Sequence, residues 1–339
     1  MITFNTGVSF LGQSNAQISR LNNMRTQMDD LERQVGTQKK FETMTGFGLG
    51  TQRILQLHAD RDHSQVFSDN IDSAVSNMTL MSNSMTKITD GLNKMISFLQ
   101  NQPQDAQFNA TDVNTQAQQM LDFITDVTNT NIAGRYLFAG TDTQNAPVAD
   151  LTTLNANLQS EVTNWLSGAT TTPQLLTNTD GLSGTALGFS PSISGAQDVT
   201  VRIDTNLEIS YGAVADRSGI QDVLRSLAFM ANIHAPNPAT DVPTNAQFGT
   251  AIDHILATAR SAVDAIQTAQ GKMSGTLDLS KSIQDTHKHD INLFSSQIDA
   301  AENSDATSVI VQLQALQTQL QASYQVSHIV SQLSLTNYI

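Results

Sequence analysis

Seven histidines and no cysteine bound the chemistry open to this 339-residue chain. The densest cluster is His58-Ala59-Asp60-Arg61-Asp62-His63. On a helix His58 and Asp62 share a face at i, i+4, where two ligands could hold a metal. The plainer reading, polar residues on the outer face of a helix, is the expectation. His287 and His289 lie two apart, on different helical faces, and so do not share an ion. No His-Glu-x-x-His is present, which removes the zincin arrangement. Gly46-Phe47-Gly48-Leu49-Gly50 resembles a phosphate loop only superficially. No Lys-Ser/Thr follows at the Walker spacing and no strand precedes it, so it reads as a turn between helices. There is no Gly-x-Ser-x-Gly elbow. The absence of cysteine removes disulfides, thiolate zinc sites and a thiol nucleophile together. No catalytic residue, metal ligand or cofactor is therefore assigned, and the chain is expected not to be an enzyme.

Charge narrows the partners. The chain holds 17 Lys and Arg against 31 Asp and Glu, a formal charge of −14, with no basic cluster. Such a surface repels nucleic acid and anionic lipid, so neither is expected as a partner. No apolar run approaches the 18 or so residues of a membrane span. Met1 to Gln13 lacks the basic and continuous apolar regions of a cleaved secretory signal.

With no site to position, the elements themselves carry the information. Ile71, Ala74, Met78, Met81, Met85, Ile88, Leu92, Met95 and Leu99 alternate three and four apart. This seam belongs to a helix lying along another helix. From Val66 to Leu99 it would run about 50 Å. Pro103 ends it. A second helix, with Val113, Ala117, Met120, Ile124 and Val127 on one face, then runs back antiparallel.

Narrow apolar stripes mark both ends of the chain. The first holds Leu11, Ile18, Leu21, Met24, Met28, Leu31 and Val35. The last holds Val309, Leu313, Leu316, Leu320, Tyr324, Val330 and Leu333. After Lys288 there is no Lys or Arg, whereas residues 1 to 40 carry more basic than acidic groups. The two ends are expected to pair with each other. Leu21, Met28, Leu31, Leu316, Leu320 and Val330 are the candidate assembly interface. Residues 141 to 218 shift to Thr, Ser, Gly and Asn. There Val199-Thr200-Val201-Arg202-Ile203 and Leu207-Glu208-Ile209-Ser210-Tyr211 alternate as half-buried strands. The fold class is thus mainly α, with long antiparallel coiled-coil-like helices from the N- and C-terminal halves and a small β-rich insert domain. The expected organisation is 1–40 with 300–339 as a terminal coiled-coil domain, 41–140 with 219–299 as a helical rod, and 141–218 as the insert.

Short motifs add a resemblance. Gly134-Arg135-Tyr136-Leu137-Phe138-Ala139-Gly140-Thr141 resembles the signature closing the N-terminal half in the family of flagellins and hook-associated protein 3. Gly36-Thr37-Gln38-Lys39-Lys40 is similar to the Ser-Thr-Gly-Lys-Arg after the first helix there, and Leu333-Ser334-Leu335-Thr336-Asn337-Tyr338-Ile339 to the Leu-Ser-Leu-x-Asn-Tyr-Leu ending of its junction members. Ile209 to Asp216 is similar to the segment that re-enters the C-terminal half in short members. Thr45 to Gly50 departs from the family's Asp-Asp-Pro loop. The resemblance implies a structural subunit of the bacterial flagellum, secreted uncleaved by type III export with an export chaperone. It implies self-association in a helical or ring assembly through helices that order on assembly. The expected place is the hook–filament junction, joining hook-associated protein 1 to the flagellin filament, with the bulk flagellin subunit as the alternative.

Overall fold

The computed structural model describes the backbone of residues 6–217 and 219–336, and the side chains in that range except 6–11, 13–14 and 330–336. Two compact units divide the chain: Met1–Gln65 with Lys288–Ile339, and Val66–His287. Helix α1 is Thr6–Thr37, and a 3-10 turn over Met44–Gly50 leads into α2, Thr51–Gln100. Gly48 sits at φ 54° inside that turn, a conformation glycine adopts without steric cost. The Gly-x-Gly-x-Gly segment is therefore the inter-helix turn that its sequence predicts.

The larger unit is organised on the heptad of α2. Ile71, Ala74, Met78, Met81, Met85, Ile88, Leu92, Met95 and Leu99 are all buried. Against them lie α3 (Ala110–Thr128) and the long α7 (Asn245–Glu302). Met120 of α3 sits directly over Gly91, where a side chain would meet its sulfur. Two glutamines of α7 join it to α2. Gln270 Nε2 donates to Ser82 O at 3.0 Å and to Thr86 Oγ1 at 2.9 Å. Gln284 Nε2 donates to Ser68 O at 3.4 Å and to Asp72 Oδ1 at 2.5 Å. The two rungs are fourteen residues apart on each helix and run in opposite chain order. That spacing is two heptads, so the rungs pin an antiparallel register.

Helix α6, Ile220–Asn232, is the centre of this unit. Its residues from Val223 to Met230 are all buried, polar ones included. One side of α6 packs on α3 and another on α4, Leu151–Leu166. Arg225 is buried here and donates to Leu182 O at 2.6 Å, which ties α6 to the end of α5, Thr172–Gly181. Trp165 of α4 is 1% exposed and its Nε1 donates to Thr172 Oγ1 at 3.0 Å.

The two predicted strands form an antiparallel hairpin, β3 (Val199–Asp204) with β4 (Leu207–Tyr211), in the register Val199↔Tyr211 and Val201↔Ile209. Three side chains moor it. Asn70 and Asn77, one heptad apart on α2, donate to Arg202 O and Tyr211 Oη, each at 3.3 Å. His287 Nε2 donates to Ile203 O at 2.8 Å, with its ring against Phe67.

The fold is mainly helical with a small antiparallel sheet, as the sequence predicts. The segment after residue 141 holds more than strands, however. Helices α4 and α5 lie in it, and Leu154, Leu158, Val162 and Trp165 of α4 face the common core at helical spacing. The Thr- and Asn-rich composition hides that stripe. Pro173 occupies the first turn of α5 beside a capping box of Thr171 and Gln174.

Leu227→Ala in α6 should cost about 2–5 kcal/mol of stability, the usual range for emptying a fully buried leucine site. The single tryptophan gives a second readout. Trp165 fluorescence and helical circular dichroism should move to lower temperature together; a fluorescence transition that stays put would show that α4 does not share the core of α6.

Candidate assembly interface

In the smaller unit α1 packs along α8, Ala306–Thr336. Both helices come from narrow-striped sequence, and neither could bury its stripe alone. Leu21, Met28 and Leu31 of α1 are half-buried, Leu316 of α8 is buried at 9% exposure, and Leu320 is half-buried. The side chain of Val330 lies outside the described residues. Arg25 reaches across to α8, its Nε donating to Tyr324 Oη at 2.9 Å with the guanidinium over the ring. Much of the predicted stripe is thus spent on joining the two ends of one chain.

A different set of apolar side chains faces outward. Ile18 on α1 and Ile310, Val311, Val326 and Ile329 on α8 are each 41–60% exposed. The sequence carried a signal for these. Val309, Ile310 and Val311 are consecutive, and consecutive residues on a helix point about 100° apart. One stripe cannot hold all three, so α8 is apolar on more than one face. Between α1 and α8 a groove of about 510 Å³ is lined by Arg20, Leu21, Met24, Ala322 and Val326, among others.

The helix ends of this unit meet at one carboxylate. Glu302 closes α7, and its side chain is 9% exposed. His58 Nε2 of α2 donates to Glu302 Oε1 at 2.6 Å, and Lys39 Nζ stands 3.6 Å from Oε2. Lys40 N donates to Glu302 O at 2.8 Å. Lys40 Nζ donates to Ala300 O at 2.7 Å and Ala301 O at 3.0 Å, satisfying carbonyls at the end of α7. Ser304 N donates to Gln38 O at 2.9 Å, completing a short bridge between the two connections. The Gly36-to-Lys40 segment, which carries part of the family resemblance, is therefore a clasp. His58 is not turned to water as expected; its neighbours Asp62 and His63 are. Among the described residues no group of three or more His, Asp or Glu side chains comes together as a metal set. The hydrogen bond from His58 is the main reason the Glu302 carboxyl is held below the usual glutamate range, against the opposing effect of burial.

The Gly134-to-Thr141 motif lies in the larger unit. Strands β1 (Asn131–Ile132) and β2 (Arg135–Tyr136) form a two-residue hairpin through Ala133 at φ 51° and Gly134 at φ 83°. Phe138 is fully buried, and its carbonyl accepts from Ala215 N at 2.9 Å. Gly140 sits at φ 60°, where a Cβ would stand 2.4 Å from Gln197 O. Arg135 of the motif is exposed, and no hydrogen-bond or ion-pair partner for it lies among the described residues.

No known family model matches the chain, and no curated protein does. Solved structures do. One is a protein of Vibrio parahaemolyticus provisionally described as a flagellar hook-associated protein, at TM-score 0.51 and 12% identity, covering 76% of this chain and 100% of that one. Another is Bacillus cereus FlgL, at TM-score 0.44 and 13% identity, covering 68% and 98%. The first likeness establishes a shared fold. Among the described residues no helix is long and apolar enough to cross a membrane.

Two measurements test this geometry. Because its folded-state pKa is depressed, Glu302 contributes stability above its unfolded value of about 4.3 and loses it as pH falls through the folded value. Glu302→Gln should therefore lower stability at neutral pH and flatten the decline below about pH 4.3 in a denaturant titration; an unchanged acid limb would remove Glu302 from that role. Gly140→Ala should cost at least 1–2 kcal/mol, roughly the left-handed penalty alone, before the clash with Gln197 is added. A melt within a degree of wild type would refute that close approach.

Proposed function

We propose that this chain is a structural subunit of the bacterial flagellum, forming the hook–filament junction. The observation that carries this reading is the pairing of α1 with α8, which joins the chain ends and still leaves Ile18, Ile310, Val311, Val326 and Ile329 outside. Apolar side chains on the outer face of an end-to-end helix pair suit burial between copies. The fold shared with the Vibrio protein supports the reading, as do the sequence motifs. In this role the subunit self-associates, joins hook-associated protein 1 to flagellin, and reaches the outside uncleaved by type III export with a chaperone.

The mechanism is association by burial, not chemistry. Ordering a long helix costs about 1–2 kcal/mol of backbone entropy per residue. Packing α1 on α8 offsets part of that cost, and a neighbour covering the outer side chains offsets more, at about 25 cal/mol per Å² removed from water. The monomer is thereby kept marginal at its ends and the assembly is not.

Val326→Asp combined with Ile329→Asp tests this at exposed sites, where the fold should tolerate the change. The variant should be exported and fail to incorporate; intact flagella carrying it would refute the proposed surface. Immunogold labelling locates the role. A single spot at the hook end is expected, whereas label along the whole filament would identify the bulk subunit instead.

A further inference from the structure

The Gly134-to-Thr141 motif leaves Arg135 unaccounted for. The residue stands on a braced platform. The two-residue turn before it is fixed by Gly134 N donating to Asn131 Oδ1 at 2.9 Å, and it holds Ala133 in the left-handed region at φ 51°. A non-glycine residue there costs about 1 kcal/mol or more, and such strain collects at functional positions. The hairpin forms one wall of a cleft of about 300 Å³ between α2 and the β3–β4 hairpin. Ser73, Asn77, Thr143, Thr200 and Tyr211 contribute polar groups to its lining, and no acidic residue lines it. A guanidinium in such a setting is a fork of donors without an acceptor.

Resting on the reading that this chain assembles, we propose that the Arg135 cleft takes an acidic side chain from a second copy of the chain. A carboxylate matches the guanidinium fork in plane and spacing, accepting two parallel hydrogen bonds. Its remaining lone pairs face the hydroxyls and the Asn77 amide. Charge complementarity selects the partner. With 31 acidic against 17 basic residues, a second copy presents chiefly carboxylates, and the segment after Lys288 presents no lysine or arginine at all. The same excess repels a polyanion while leaving one positive cleft free for one side chain. The contact is heterologous, a cleft on one copy and a side chain elsewhere on the next, which is the geometry that builds rings and helical arrays rather than closed dimers.

The test uses the full chain under assembling conditions. Arg135→Lys places an amine in the cleft, and a carbodiimide then joins it to any carboxylate in direct contact. In a mixture of ¹⁴N and ¹⁵N chains of this variant, the peptide carrying the substitution should be found coupled to an Asp or Glu peptide of the other isotope. Arg135→Glu should raise the critical concentration for assembly at least tenfold while leaving the thermal melt of the monomer unchanged. Coupling within single chains only, or an Arg135→Glu chain that assembles as wild type does, overturns the proposal. Calorimetric uptake of acetate or inorganic phosphate by the wild-type monomer, lost in Arg135→Glu, would assign the cleft to a free anion and overturn it too. A wild-type chain that never assembles overturns the functional reading along with this one; an assembling wild type with an equally competent Arg135→Glu overturns this one alone.

Discussion

One carboxylate holds the smaller unit together. Glu302 receives the imidazole of α2, the ammonium of Lys39 and, through its carbonyl, the backbone of Lys40. Helix α2, the segment after α1 and the end of α7 thereby share a single nearly buried acid. A helix terminus leaves carbonyls or N–H groups unpaired, and burying them unpaired is costly. Here Lys40 takes the carbonyls of Ala300 and Ala301, so α7 can stop and α8 begin within a few residues. Without this clasp α1 and α8 would have their packing faces but no fixed starting point along each other.

The larger unit solves a different problem. It must keep two long helices in register and enclose a third. Register comes from amides: Gln270 and Gln284 reach backbone carbonyls and polar side chains on α2 where a sliding apolar seam alone would be indifferent to a shift of one heptad. Enclosure comes from surrounding α6 with α3 on one side and α4 on another. Its buried polar residues find partners nearby, with Arg225 Nε the one atom left unpaired among the described residues. Ser226 Oγ bonds Asp222 O at 2.6 Å, and Arg225 bonds Asp222 and Leu182. The β3–β4 hairpin is then hung from α2 by Asn70 and Asn77 and from α7 by the buried His287.

What could be read in the sequence was what repeats. The α2 seam recurs every three and four residues from Ile71 to Leu99, and alternation over Val199–Ile203 and Leu207–Tyr211 is similarly local. Both patterns reflect neighbours that are close in sequence. Helices α4 and α5 were obscured because threonine and asparagine dilute a correct apolar spacing, and because Pro173 acts as a start signal there rather than a stop. The Glu302 clasp was out of reach altogether. Its partner His58 lies 244 residues away, and a single glutamate beside two alanines carries no local mark. For the terminal stripes the sequence predicted pairing of the ends. The consecutive Val309, Ile310 and Val311 show that α8 is apolar on more than one face, and the packing of α1 decides which of these side chains stay outside.

The amide rungs between α2 and α7 also decide how the protein meets its surroundings. Ion pairs between exposed groups weaken as dissolved salt shortens the Debye length, from about 10 Å at 0.1 M to about 3 Å at 1 M. A glutamine donating to a carbonyl carries no net charge to screen. The Gln270 rung therefore holds α7 to α2 by contacts that fresh water and brine treat alike, whereas the Gln284 rung also ends on the Asp72 carboxylate. Dissolved salt would weaken the exposed Lys39 end of the Glu302 clasp while leaving the Gln270 rung as it is.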